Sequence, residues 1–287
     1  MKQNVTEATH LPPARSPLRY PGGKSRAIKP ILTHMPRSFA EFREPFVGGG
    51  SVFLTVRRRY PDAQVWINDL NVDVYCFWKC AQAGARRLAD AIRHIKDKTR
   101  NGRALFNEMR NAHTENLTEH ERAVRFFVLN RIGFSGTVDA GGYSEAAFHE
   151  RFTNSSIERL LPLGDALKGV RITNLNYTDV IAMLGNNVFV FLDPPYFVAT
   201  QSRLYGRNGA LHLAFDHEKF AFEMRRCLHR WLITYDDSPQ IRKNFSFAHI
   251  DTWQLQYGMN NYKQNSAGKG RELFIRNYTQ GDTPWPA

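Results

Sequence analysis

An acid, two prolines and a tyrosine stand in a row at Asp193–Tyr196, directly after the apolar run of "NVFVFL". Two consecutive prolines force an extended, rigid turn and remove two backbone donors. The carbonyl of Pro194 and the carboxylate of Asp193 can then both accept hydrogen bonds from one NH2 group. Tyr196 offers a ring face for stacking an aromatic base. Two acceptors on an exocyclic amine draw its nitrogen toward tetrahedral geometry and localise its lone pair, which suits attack on an electrophilic methyl. Proximity supplies much of the remaining acceleration. The same four residues also fit a plain turn, so the reading needs company.

Two further stretches provide it. In "EPFVGGGSVF" (44–53) a strand runs into glycines and a helix opens after them. Glycines there let a ligand approach the backbone, and a helix N-terminus favours polar or anionic groups. Asp69 lies at the end of the next strand, where a carboxylate can accept hydrogen bonds from ribose hydroxyls. A dinucleotide fingerprint needs a third glycine at position 53, and Phe53 occupies it. NAD is therefore disfavoured, and a cofactor without a pyrophosphate fits better. In "RYPGGKS" only Gly22 and Gly23 precede Lys24, which excludes a P-loop. Lys24 is left as a cation with a carboxylate or phosphate to hold.

The elements that must position these residues alternate. "SFAEFREPF", "AQVWINDL", "NVFVFLDPPY" and "RWLITYDD" read as strands, with helical stretches such as "SRAIKPILTHM" and "HEKFAFEMRRCLHR" between and around them. "FAHIDTWQLQY" and "RELFIRNY" read as a closing antiparallel pair. This alternation predicts an open, mixed, mostly parallel α/β sheet with its ligands beyond the carboxyl ends of the strands. Residues 75–161 break the rhythm with helix formers and then the glycine-punctuated "GFSGTVDAGGYS", which has hairpin character. The expected organisation is a loose tail at 1–16, a catalytic domain from 17–74 and 162–280, an inserted lobe at 75–161, and a second loose tail at 281–287.

Composition narrows the class. The 287-residue chain has 39 Lys and Arg against 27 Asp and Glu, a net charge of +12. Residues 1–60 hold 11 basic and 3 acidic residues, and residues 240–278 hold 6 and 2. Basic ends around a less biased middle suit a face that meets nucleic acid. No apolar run approaches the roughly 18–20 residues needed to cross a bilayer. The first 16 residues lack the apolar segment of a secretory signal. Cys76, Cys80 and Cys227 form no disulfide framework and no zinc spacing. The expectation is a cytoplasmic protein that acts at the bacterial nucleoid, with no metal.

Taken in order, "RYPGGK", "EPFVGGGSVF", "NDLN", "LNRIGFSG" and "DPPYF" resemble the Dam-type, alpha-class family of DNA adenine N6-methyltransferases, from about Leu18 to Tyr278. The resemblance implies a Rossmann-like methyltransferase fold with an inserted DNA-recognition lobe. It also implies S-adenosylmethionine as methyl donor and a flipped adenine in duplex DNA as acceptor. Tyr20, Lys24, Glu44, Gly48, Gly50, Asp69 and Asp193 would line the cofactor, with Lys24 near its methionine carboxylate. Asp193, Pro194 and Tyr196 would hold the adenine. Arg19, Arg131, Phe134, Ser135, Thr137, Asp139, Lys263 and Lys269 would meet DNA, with Arg19 placed for a guanine edge or a phosphate. GATC readers of this family carry an arginine shortly after the NG or SG pair of the hairpin. Here that stretch reads Thr137, Val138 and Asp139, which argues for another target. A monomer or homodimer, acting alone or beside a restriction endonuclease, is the expected form.

Two other readings stay open at this point. D-P-P-Y also occurs in rRNA guanine N2-methyltransferases, although those generally lack the lobe and "RYPGGK". A DNA-binding protein on a degenerate methyltransferase scaffold is the other.

Overall fold

A computed structural model of the chain describes residues 15–20, 22–136, 138, 141–197, 215–255 and 270–279. Its frame is a seven-stranded sheet in the order β3-β2-β1-β4-β5-β7-β6. The strands are β1 (Glu41–Glu44), β2 (Gln64–Asn68), β3 (Arg171–Thr173), β4 (Val188–Leu192), β5 (Arg230–Asp236), β6 (His249–Leu255) and β7 (Gly270–Arg276). Neighbours from β3 to β5 run parallel, whereas β7 runs antiparallel to both β5 and β6. This is the mixed, mostly parallel sheet that the alternation predicts, and it agrees with the Rossmann-like methyltransferase fold that the resemblance implies. Every residue of β4 is buried, as expected of an apolar run sandwiched between two helical layers. Strand β3 escaped the sequence reading because its three residues, "RIT", carry neither an apolar run nor a clear alternation.

Helices α1 (Ile28–His34) and α2 (Ser51–Arg59) belong to one core face, with Ile31, Phe53 and Val56 fully buried. The helix expected from Ser25 begins instead as a 3-10 turn over Lys24–Arg26. Proline is tolerated in the first turn of a helix, where its missing N–H has no partner to lose, and Pro30 stands there in α1. Helices α3 (Val72–Lys98), α4 (Gly102–Asn111), α5 (Glu119–Ile132), α6 (Glu145–Arg151), α7 (Asn154–Glu158) and α8 (Leu163–Ala166) fill the sequence between β2 and β3. The expected lobe boundary at 75 thus falls inside α3. Asp73, in the first turn of α3, pairs with Arg122 and Arg125 of α5 at 2.9 and 3.1 Å. That double pair ties the intervening helices to the end of β2.

Helix α5 is buried continuously from Ala123 to Ile132, including Arg125, Asn130 and Arg131. A capping box of Thr118 and Glu121 sets its start. Beyond it, Gly133 bridges Tyr143 and Phe134 N–H donates to the carbonyl of Gly142, so the glycine-rich stretch closes as a hairpin-like loop. Ser16, within the segment expected to be loose, donates from its hydroxyl to the carbonyl of Gly49. Among the described residues, no helix is long and apolar enough to cross a membrane.

Candidate active site

Three strand ends meet at the carboxyl edge of the sheet. The end of β1 supplies Glu44 and then the glycine turn. Gly48 and Gly50 have φ of +43° and +71°, a backbone region that penalises side chains. A Cβ on Gly48 would lie 2.7 Å from the Tyr20 ring, and one on Gly50 would lie 2.5 Å from Phe53 and Trp78. The indole of Trp78 donates to the carbonyl of Gly48 at 3.0 Å. The turn is therefore clasped between Tyr20 and the start of α3, and glycine is required at both positions.

Asp69, at the end of β2, accepts from Gly48 N–H with one oxygen and from Asn71 N–H with the other, both at 2.9 Å. Burial outweighs these bonds and pushes its carboxyl up to about 6. Glu44 is 3% exposed and accepts from Phe53 N–H, at the third position of α2, at 2.9 Å. Burial, reinforced by Asp193 and Asp69, holds it well above the ordinary carboxyl range. The amino end of α2, expected to favour an anionic ligand group, thus already receives a carboxyl from the chain itself.

The end of β4 supplies the third part. Lys24 reaches across from the turn before α1, and its ammonium lies 2.9 Å from Asp193 Oδ1 with only 4% of its side chain exposed. It also donates to the carbonyl of Gly22 at 2.9 Å and sits 4.8 Å from the centre of the Tyr196 ring. The hydroxyl of Thr234, on β5, donates to the same Oδ1 at 2.7 Å. Oδ2 of Asp193 carries neither contact. Asp236, at the end of β5, accepts from Phe197 N–H at 2.7 Å and so pins the far side of the proline turn. The ring of Tyr196 is partly exposed, while its hydroxyl is sealed and its pKa is raised, chiefly by burial. A partly open ring on a closed hydroxyl is what a stacking platform requires.

The structure therefore gathers Tyr20, Lys24, Glu44, Gly48, Gly50, Asp69, Asp193, Pro194 and Tyr196 around one edge of the sheet. It adds Thr234, Asp236, Trp78 and Glu272, which the motif reading missed. Asp236 carried a signal, since "RWLITYDD" ends on acids as the other site strands do. Thr234 carried only a weak one, as a lone polar residue inside "WLITY", and Glu272, directly after Arg271 in "RELFIR", carried none.

The residues expected to meet DNA form a second group. Arg19 N–H donates to Asn130 Oδ1 at 2.9 Å, and Asn130 returns a bond to the carbonyl of Arg19 at 2.7 Å. Gly136, with φ of +77°, packs so closely that a Cβ would lie 2.0 Å from that carbonyl. Arg131 is 4% exposed and lies over Phe127, 5.3 Å from its ring centre. Burial, then Arg19, Arg159 and Arg151, push its pKa down. Phe134 is 65% exposed at the tip beside Ser135, whose φ is +56°. Thr137, Asp139, Lys263 and Lys269 lie outside the described residues.

Comparison with known proteins places this arrangement. The model of the D12 class of N6 adenine-specific DNA methyltransferases matches residues 20–259. A type II methyltransferase of Lactococcus lactis subsp. cremoris, M1.LlaDCHI, is 22% identical over 91% of this chain and 94% of its own length. The type II methyltransferase M.MjaIII of Methanocaldococcus jannaschii is 25% identical over 62% of this chain and 68% of its own. The DNA adenine methylase of Escherichia coli K12 is 27% identical over 63% and 65%.

Proposed function

Since the chain belongs to the D12 class of N6 adenine-specific DNA methyltransferases, we propose that it carries a methyl group from S-adenosylmethionine to a flipped adenine in duplex DNA, at a site other than GATC. The observation that carries this reading is the 2.9 Å contact of Lys24 with Asp193. It joins the segment assigned to the cofactor to the segment assigned to the amine.

The residues present fit the cofactor. Gly48 and Gly50 present bare backbone at the turn after β1, Asp69 stands at the strand end where a ribose would be met, and Lys24 offers a cation. Bound there, S-adenosylmethionine supplies an electrophilic methyl group. Glu44 and Lys24 face the methionine end in this assignment, and Tyr20 closes over the glycine turn. Asp193 Oδ2 and the carbonyl of Pro194 accept the two amine hydrogens of adenine while Tyr196 stacks on its ring. Lys24 and Thr234, both on Oδ1, fix the carboxylate so that Oδ2 is aimed without reorganisation during transfer.

The amine cannot be reached inside a duplex, so the base leaves the stack at a cost of roughly a few kcal/mol. The lobe at 75–161, with Phe134 and Ser135 at its tip, is assigned to the DNA side, together with Arg19, Arg131, Lys263, Lys269, Thr137 and Asp139. Thr137 to Asp139 offer no arginine for a GATC contact. The type II relatives support a role as the protective half of a restriction pair, with the enzyme itself a monomer or homodimer.

Incubation with S-adenosylmethionine and unmethylated bacterial DNA, read by nucleoside mass spectrometry and methylation-calling sequencing, is the test. N6-methyladenine should accumulate at one sequence. Asp193→Ala should lower turnover by about 10²–10³-fold or more in a protein that still melts cooperatively. Methylated GATC alone, or full activity in Asp193→Ala, would refute the corresponding assignment.

A further inference from the structure

Glu272 stands inside β7 with no part in the chemistry so far. It is 1% exposed, and neither carboxyl oxygen makes a hydrogen bond of normal geometry among the described residues. The sealed hydroxyl of Tyr196 likewise makes none, although the two groups lie close enough for the phenol to influence the carboxyl. Register places Glu272 opposite Asp236 on β5 and Trp253 on β6. Strand alternation puts Thr234 on the same face.

The charged and titratable groups facing Glu272 come from every element around it. Lys24 comes from the turn before α1, Asp193 and Tyr196 from the loop after β4, and Asp236 from β5. One ammonium thus acts on two carboxyls, Asp193 and Glu272. Burial pushes the Glu272 carboxyl up and Lys24 pulls it back; Asp193 pushes it up, the Tyr196 phenol pulls it down and Asp236 pushes it up again, leaving it at about 7. The Tyr196 phenol and the Glu272 carboxyl, both buried, already interact, and either one left without the other would cost free energy.

We propose that Glu272, in its neutral form, is the positioning residue that holds the Tyr196 ring for base stacking and leaves Lys24 to Asp193. This inference rests on the roles given above to Asp193 and Tyr196. Neutral Glu272 accepts the phenol hydrogen and makes no claim on the ammonium. Ionised Glu272 competes for Lys24, loosens the Lys24–Asp193 contact and turns the aim of Oδ2. The site therefore works best while this carboxyl keeps its proton.

The test is methylation of an oligonucleotide duplex at saturating S-adenosylmethionine, from pH 6 to 8.5, counted as N6-methyladenine. Wild type, Glu272→Ala and Glu272→Gln are compared, with melting temperatures recorded. Glu272→Ala should lose about tenfold in turnover at pH 6, and Glu272→Gln should recover most of it. The ratio of Gln variant to wild-type rate should then climb about tenfold between pH 6 and 8, because a group titrating near 7 is about ten to one ionised one unit higher. A ratio flat with pH, or a Gln variant as impaired as Ala at pH 6, would overturn the assignment. If the Ala variant does not fold, the Gln ratio alone decides. Absence of N6-methyladenine from wild type would overturn the reading of the reaction itself, a different failure from a flat ratio.

Discussion

Two clusters whose anchors lie five residues apart in the chain carry opposite charge imbalances. The Lys24–Asp193 pair is joined by Glu272 and Glu44, and through them by Asp236 and Asp69, several acids to one ammonium. Around Arg19 stand Arg131, Arg151 and Arg159. Among the described residues, Arg151 alone of these four has an ion pair, an exposed one with Glu150 at 3.9 Å. In the first cluster burial drives carboxyls upward, as at Glu44, Asp69 and Glu272. In the second it drives guanidinium groups downward, as at Arg19 and Arg131. Each cluster is uncomfortable in the free protein, and each improves when a partner of opposite charge arrives. A sulfonium cofactor and an amine that gains positive charge suit the acidic cluster. A phosphate backbone suits the basic one. The short segment from Arg19 to Lys24 is what places the two side by side.

The comparison breaks most sharply if the acidic cluster loses its cation. Lys24→Met keeps the stem and removes the ammonium, so Asp193 and Glu272 face each other without compensation. Removing one partner of a buried pair costs about 3–5 kcal/mol. Turnover should fall by about 10²–10³-fold. The alkaline limb of the pH profile should move upward, because Lys24 pulls the Glu272 carboxyl down and its removal raises that pKa. A rate–pH profile of a variant that still melts cooperatively checks both effects. Turnover close to wild type would detach Lys24 from the chemistry of Asp193.

The basic cluster is sharpened by separating two of its members. Arg159 is exposed, whereas Arg19 is half-buried and locked to Asn130 through its backbone. Arg159→Ala should weaken DNA binding uniformly across sequences and lower the slope of log affinity against log salt by about one. Arg19→Ala should instead reduce discrimination between the methylated site and a mismatched one by about 1–3 kcal/mol. Fluorescence anisotropy on both duplexes across a salt series distinguishes them. Equal slope changes for the two variants would make Arg19 a phosphate contact.

The sequence announced those parts of this design that are local. A glycine turn, an acid at a strand end and a proline pair are each written in consecutive residues, and alternating strands and helices place all of them at one edge. Contacts made across the fold were not announced. Lys24, left to hold a carboxylate or phosphate, holds Asp193, 169 positions later in the chain. The amino end of α2, read as a ligand's place, is met by Glu44, because a strand end nine residues earlier returns to it. Thr234, Asp236 and Glu272 enter through the β4–β5–β7 neighbourhood, which depends on sheet order and on an antiparallel register that no local spacing encodes. Arg151 and Arg159 join Arg131 only once α5, α6 and α7 pack together. Strand β3 is three residues whose partner, β2, supplies most of its definition.

The smallest effect tests how far the two supports of Asp193 differ in kind. Thr234 is fully buried, and its hydroxyl donates to Oδ1 at 2.7 Å beside the 2.9 Å contact from Lys24. Thr234→Val removes the donor at nearly constant volume and leaves the ammonium in place. A hydrogen bond to a charged group contributes about 1.5–3 kcal/mol, but here Lys24 continues to hold the same oxygen and recovers part of that. Turnover should therefore fall about three- to tenfold, with affinity for S-adenosylmethionine within about twofold of wild type, because the change alters the aim of the amine acceptor rather than the glycine turn. Single-turnover rates and equilibrium cofactor binding separate the two quantities. A loss as large as that of Lys24→Met would mean that the hydroxyl, not the ammonium, fixes Asp193, and the acidic cluster would then be organised from β5 rather than from the segment it shares with the basic one.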